Sequence, residues 1–326
     1  MEINNITKAN IIKSHLFLLL FYLYIFSYHN KEINNNLPTK ENKNNFSDKK
    51  FIIIINTCRS CGLFSFYKKS IRCIYQYLNK GYIPIIDLKS SPNVINGFNT
   101  SKSNCWELFF EQPFGYTLDE ILNNSNKINY LHNPVCEKTL NDTIFDNEIE
   151  RDFWHHFANK YLPVKSELIN LSKKIMLDLF NNSKNVLGVL ARGTDYIYLR
   201  PKNHFIPPKI SDLIRDVKLM DEKYIYDFIF FSTEDEKIRK KFTKFFSNKV
   251  KQIRHKTRII YNPKKKYLGY NNNIKGNIEY NKIYLLNIIV LSKCLDLITG
   301  KYNGATGIFV LSNGFRHTKI YNLGKY

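Results

Sequence analysis

Short, wholly apolar runs alternate with helix-spaced apolar positions along most of this chain. FIIIIN, starting at Phe51, is an uninterrupted run of the length a buried strand needs. After a loop at 57–63, Ile71, Ile74, Tyr75 and Leu78 fall at i, i+3, i+4 and i+7, and Gly81 stands where such a helix would end. Residues 82–87 (YIPIID) then read as a second strand. A strand–loop–helix–strand unit of this kind predicts a parallel sheet.

The same alternation returns in the second half. The spacing predicts a helix over Ser166–Phe180, a strand over 186–190, a helix over 210–220 and a strand over 226–231. A helix over 236–246, a strand over 258–261, a long apolar helix over 280–294, a short strand over 295–298 and a final strand over 318–323 follow. Residues 99–159, rich in aromatics and loop formers, show no clear period. Two stretches of α/β alternation predict two Rossmann-like domains, 51–180 and 181–326, facing each other across a cleft.

Ahead of the folded part, residues 16–28 (LFLLLFYLYIFSY) are uncharged and almost wholly apolar. A bilayer needs about 20 apolar residues in a helix, so this run spans only if Lys13 snorkels. No small-x-small cleavage site follows Tyr28, which favours an uncleaved N-terminal anchor, 1–28, over a signal peptide. Lysines on both sides leave its orientation open. Residues 29–50 are polar and Asn- and Lys-rich, a stem between anchor and domain.

Charge and cysteines narrow the function classes. The net charge is +21, with basic residues densest at 237–282. That stretch has no zinc-finger spacing, RNA-binding motif or Gly-Arg repeat, so nucleic acid is not the expected partner. Attraction of an anionic substrate or membrane surface suffices to explain the charge. Cys58 and Cys61 form one C-x-x-C, but no second pair completes a metal site, and no metal is expected. Two buried thiols or one local disulfide are the readings left open there.

The candidate chemistry sits where apolar runs stop. In open α/β sheets ligands bind beyond the carboxyl ends of the strands. The run at 186–190 turns abruptly into Arg192, Gly193, Thr194 and Asp195. A guanidinium, a Gly for close backbone approach and a hydroxyl suit a phosphate or diphosphate; an Arg–Asp pair tying down a loop is the alternative. Asp195 either holds that loop or contacts the ligand. His204, in the Pro-rich loop that follows, is either a general base for a hydroxyl or a surface residue. Ser232, Thr233, Glu234 and Asp235 end another strand and either cap the next helix, contact a ligand, or both. Residues 300–307, with Asn303 and Gly304, open a helix where phosphate oxygens are readily held.

RGTDY, PKNHFIPP, FFSTEDEKIRKKF and LSKC…LITGKYNGATG, in this order, resemble glycosyltransferases of the α1,6-fucosyltransferase and O-fucosyltransferase group. CGLFSFYKKSIRCIYQYLNKGYIPIIDLKS and NCWELFFEQPFGYTLDEI extend the resemblance to the first half. It implies the GT-B fold and transfer, without a metal and with inversion, of a sugar from a nucleotide donor, GDP-fucose being usual, to a glycan hydroxyl. It implies that Arg192 binds the donor diphosphate and that 232–235 contact guanine or ribose. Trp106, Glu107 and Phe110 are either acceptor-groove or core residues. Leu190 and Gly193 stand where the group often carries a His and a second Arg, and Tyr302 and Asn303 where it often has serines. Another GDP- or UDP-sugar, or a binding protein without catalysis, are the competing readings. An anchored chain of this kind is a type II Golgi enzyme in a eukaryote or virus, and faces the cytoplasm in a bacterium.

Overall fold

The computed structural model describes residues 46, 49–55, 62–89, 104–132, 140, 142–253 and 278–326. The expected anchor (1–28), most of the stem, the Cys58–Cys61 pair and the strand expected at 258–261 lie outside the described residues. Among the described residues no helix is long and apolar enough to cross a membrane, and no group of three or more His, Cys, Asp or Glu side chains is placed to hold a metal. Cys73 is disulfide-bonded, and Cys105 and Cys294 are buried free thiols.

The first half forms a parallel sheet from β1 (Phe51–Ile55), β2 (Ile83–Asp87) and β3 (Ile128–His132), with β1 central. Helix α1 (Leu63–Leu78) crosses from β1 to β2 and buries ten side chains. It stops because Gly81, at φ +74°, takes the left-handed position that lets Gly81 N donate to Leu78 O and Tyr82 N to Tyr77 O. β2 is an edge strand, so its outer peptide groups need other partners. Gln112 supplies them by bonding both Ile86 N (2.9 Å) and Ile86 O (2.8 Å), and Asn104 accepts from Leu88 N (3.0 Å). Glu107 accepts from Asn104, Gln112 and the Leu118 amide. The aperiodic segment is thus built on a buried polar lattice, not on a hydrophobic repeat. Short helix α2 (Leu118–Asn124) follows, started by a Thr117/Glu120 capping box.

The second sheet is wholly parallel, in the order β6 (Val250–Lys251), β5 (Phe228–Thr233), β4 (Val186–Ala191), β7 (Asp296–Gly300), β8 (Thr318–Tyr321). β4 is buried throughout, as its continuous apolar run requires in the middle of a covered parallel sheet. Relative to the expected boundaries, β5 and β7 each run two residues further. Tyr226 lies just before β5, and its hydroxyl bonds Asp296 at the start of β7, so both stand at the amino end of the parallel sheet.

Helices α3 (Glu148–Tyr161) and α4 (Ser166–Phe180) connect the sheets. α4 precedes the expected boundary at 180/181, yet Phe180 packs against Phe228 and Phe230 of β5. The expected helix 280–294 is α8 (Ile278–Leu291), and the last helix, α9 (Asn303–Leu311), buries every residue from Gly304 to Leu311. Between α4 and α8 in chain order lie α5 (Asp195–Leu199), α6 (Ile210–Tyr224) and α7 (Glu236–Phe245). α9 packs against α1 and α3 of the first half, and one hydrophobic core runs continuously from Ile54 and Phe64 to Ile308 and Val310. The carboxyl ends of the second sheet therefore lie beside α1.

Candidate functional site

Parallel register assembles this site. Leu190 pairs with Ser232 and Ala191 with Thr233, so the next residues along, Arg192 and Glu234, leave the sheet side by side. On the other flank Val189 pairs with Ile298, which carries Gly300 and Lys301 to the same edge. Arg192 Nε lies 3.3 Å from Glu234 Oε1, both side chains being largely buried. The same carboxylate oxygen accepts from Gly193 N (3.0 Å) and Thr194 Oγ1 (3.2 Å). Arg192 also lies over the Tyr196 ring, 4.6 Å from its centroid.

The loop after β4 is held under tension. Thr194 has φ +46°, a costly value for a β-branched residue, and is buried to 1% exposure. What holds it there is Asp235. One oxygen of that carboxylate accepts from Thr194 N (2.9 Å), and the other from Lys237 N and Ile238 N at the start of α7. Asp235 is thus both helix cap and loop clamp. Thr233 Oγ1 accepts from Asp235 N, and Ser232 is buried at the end of β5. The side chain of Asp195 lies outside the described residues; its backbone opens α5.

Gly193 occupies a place where no side chain fits. A Cβ there would sit 2.6 Å from Asp235 Cβ and 2.7 Å from Ile238 Cδ1. The second arginine of the resembled group therefore has no room in this loop. On the far flank, the Tyr302 ring lies across Gly300, and Tyr196 meets Tyr302 edge-on at 5.9 Å. Gly304 sits directly under the Tyr284 hydroxyl, and Gly307 under the Phe64 ring of the first half. Burial raises the Tyr284 and Tyr302 hydroxyls far above their ordinary range, keeping both protonated near Arg192 and Glu234. Lys301, also buried, reaches Asp146 at 2.7 Å.

Gly193, Thr194, Glu234 and Asp235 are thus one hydrogen-bonded cluster, to which Arg192 is tied by its ion pair with Glu234. Asn303 and Gly304 stand at the neighbouring helix start, where the first turn of α9 leaves amides unpaired within the helix. His204 is exposed, 5.2 Å from the Tyr196 ring, with Nδ1 against Lys202 O. Trp106 and Phe110 are fully buried core residues stacked with Tyr67, and Glu107 is bound into the lattice beside β2. The sequence pattern does not single out Tyr284. Tyr196 lies beneath Arg192 and meets Tyr302, and the Tyr284 hydroxyl lies over Gly304.

No family model matches the sequence, and no curated protein matches it significantly. Solved structures do match its fold. A NodZ α-1,6-fucosyltransferase co-crystallised with GDP aligns over 82% of this chain and 93% of its own, at 14% identity and a TM-score of 0.50. The fucosyltransferase NodZ from Bradyrhizobium aligns over 82% and 94% at 14% identity and 0.47. Arabidopsis thaliana FUT1 in complex with GDP aligns over 94% and 79% at 8% identity and 0.46. In its α/β fold with two parallel sheets, this chain is fucosyltransferase-like.

Proposed function

We propose that this protein is a glycosyltransferase of GT-B architecture that transfers fucose from GDP-fucose to a glycan hydroxyl, with inversion and without a metal. The observation that carries the reading is the cluster at the second sheet's carboxyl edge. It puts one guanidinium and a strained glycine-containing loop at the sheet edge where β7 also leads into the start of α9. It lies on a fold shared with an enzyme co-crystallised with GDP.

In the proposed reaction the acceptor hydroxyl attacks the anomeric carbon as the bond from that carbon to the diphosphate oxygen breaks. The diphosphate leaves with the electron pair, and the acceptor proton passes to a base, for which His204 is the candidate. Arg192 stabilises the charge developing on the leaving oxygens. Before donor binding it rests on Glu234, so the donor exchanges a carboxylate partner for phosphate oxygens. Asp235 and Thr194 keep the loop in position while that exchange occurs. Attachment to a membrane through residues 16–28 belongs to the same proposal.

Thermal unfolding of the protein with GDP or UDP, followed by an assay of fucose transfer to a glycan acceptor, tests it. GDP raises the unfolding temperature more than UDP, because a bound ligand stabilises only the state that binds it. Arg192→Ala loses the GDP response and the transfer while remaining folded. Full activity in Arg192→Ala refutes the assignment. A second reading, nucleotide binding without catalysis, draws support from the Arg192–Glu234 pair and from the lack of room at Gly193. A GDP response without turnover of GDP-fucose distinguishes it.

A further inference from the structure

The Tyr302 hydroxyl is buried and has no hydrogen-bond partner among the described residues, and the residue is only 5% exposed. An unpaired buried hydroxyl is unfavourable, and native structures usually satisfy such groups. Tyr67 and Tyr161 also have unpaired buried hydroxyls, but theirs lie in aromatic packing of the first half. Tyr302 is placed differently. It precedes α9, its ring lies across Gly300 at the tip of β7, and it meets Tyr196, the ring beneath Arg192. Arg192 and Glu234 are both close enough to act electrostatically on its hydroxyl.

We infer that the Tyr302 hydroxyl donates a hydrogen bond to a phosphate oxygen of the nucleoside diphosphate held by Arg192 and the first turn of α9. The inference rests on the reading of this edge as a nucleotide-sugar site. It assigns that site a side-chain donor of this chain's own. A phenol suits this role because it is protonated at neutral pH, so it presents a proton to an anion without adding charge. The unpaired state is then that of the free protein, and the diphosphate supplies the missing partner.

The test compares the wild-type chain with Tyr302→Phe and, as a control, Tyr67→Phe, by thermal unfolding and calorimetric titration with GDP and with inorganic pyrophosphate. Tyr302→Phe removes a hydroxyl that bonds nothing in the free protein, so its unfolding temperature without ligand is unchanged or higher. Its dissociation constants for GDP and for pyrophosphate both rise about tenfold or more, the loss expected for one hydrogen bond to a charged group. Tyr67→Phe binds both ligands as the wild type does. Unchanged or tighter binding by Tyr302→Phe overturns the inference. So does weakened GDP binding with normal pyrophosphate binding, or a lower unfolding temperature in the free variant. If wild type responds to neither ligand, the nucleotide-sugar reading itself fails; if only the Tyr302→Phe comparison fails, that reading stands without this contact.

Discussion

Replacing Gly193 by alanine adds one methyl group at a point of the site that leaves no room for it. Gly193 does not have a positive φ, so alanine meets no backbone penalty, and its effect is purely one of space. The added Cβ would lie 2.6 Å from both Asp235 Cβ and Asp235 Oδ2, roughly 1 Å inside an ordinary contact. Asp235 cannot swing aside freely, since its two oxygens hold Thr194 N on one side and the first amides of α7 on the other. Relief therefore costs either the helix cap, about 0.5–2 kcal/mol, or the clamp on Thr194, about 1.5–3 kcal/mol. The smaller unfolded-state entropy of alanine returns about 0.4–1 kcal/mol. The net loss is about 0.5–2.6 kcal/mol where the clamp gives way and at most about 1.6 kcal/mol where the cap does, measurable as a lower urea midpoint with an unchanged slope. Gly62→Ala is the control for space, because a Cβ there meets nothing within 4 Å; as the N-cap of α1 it should still cost up to about 1 kcal/mol. Gly193→Arg, which restores the second arginine of the resembled group, should be destabilised at least as much and should not gain activity. An unaltered midpoint in Gly193→Ala would refute the account of the loop as clamped by Asp235.

Two other expectations test the frame around the site. Burial alone would raise the Asp296 carboxyl, but hydrogen bonds from Arg316, Tyr226 and His317 N outweigh it and hold the group below the usual carboxylate range. A lowered folded-state pKa means that the stabilisation is full at neutral pH and is lost as pH falls below about 4 through that value. Asp296→Asn should therefore cost about 1–3 kcal/mol at pH 7, since Asp296 is buried but its partner Arg316 is half-exposed, and its denaturation midpoint should vary less than wild type's between pH 7 and pH 3. Phe110→Ala should cost about 3–5 kcal/mol in chemical denaturation, because Phe110 is fully buried against Tyr67 and Trp106. Wild-type stability in that variant would instead favour an exposed acceptor-groove role.

Much of the fold was legible because buried parallel strands and amphipathic helices leave different periods in a sequence. FIIIIN from Phe51 and the run ending at Leu190 read as strands, and Ser166–Phe180 as a helix, from that difference alone. Residues 104–117 were not legible. Their structure depends on Asn104 and Gln112 bonding the edge of β2, and a side-chain amide that replaces a strand has no period. The site was legible in part. Arg192, Glu234 and Asp235 stand out because ligand-binding groups collect where parallel strands end.

What the sequence determined by itself is local: where strands stop, where helices start, and which polar residues stand at those junctions. Which junctions meet was decided by tertiary structure. Arg192 and Glu234, far apart in the chain, become neighbours because β4 and β5 pair in parallel with Ala191 opposite Thr233. Tyr302 reaches their edge because β7 pairs with the other side of β4. The room at Gly193 is likewise a property of the packed state, set by Asp235 and Ile238 of the neighbouring helix start. Periodicity records how each segment is buried, but register and close packing exist only between segments.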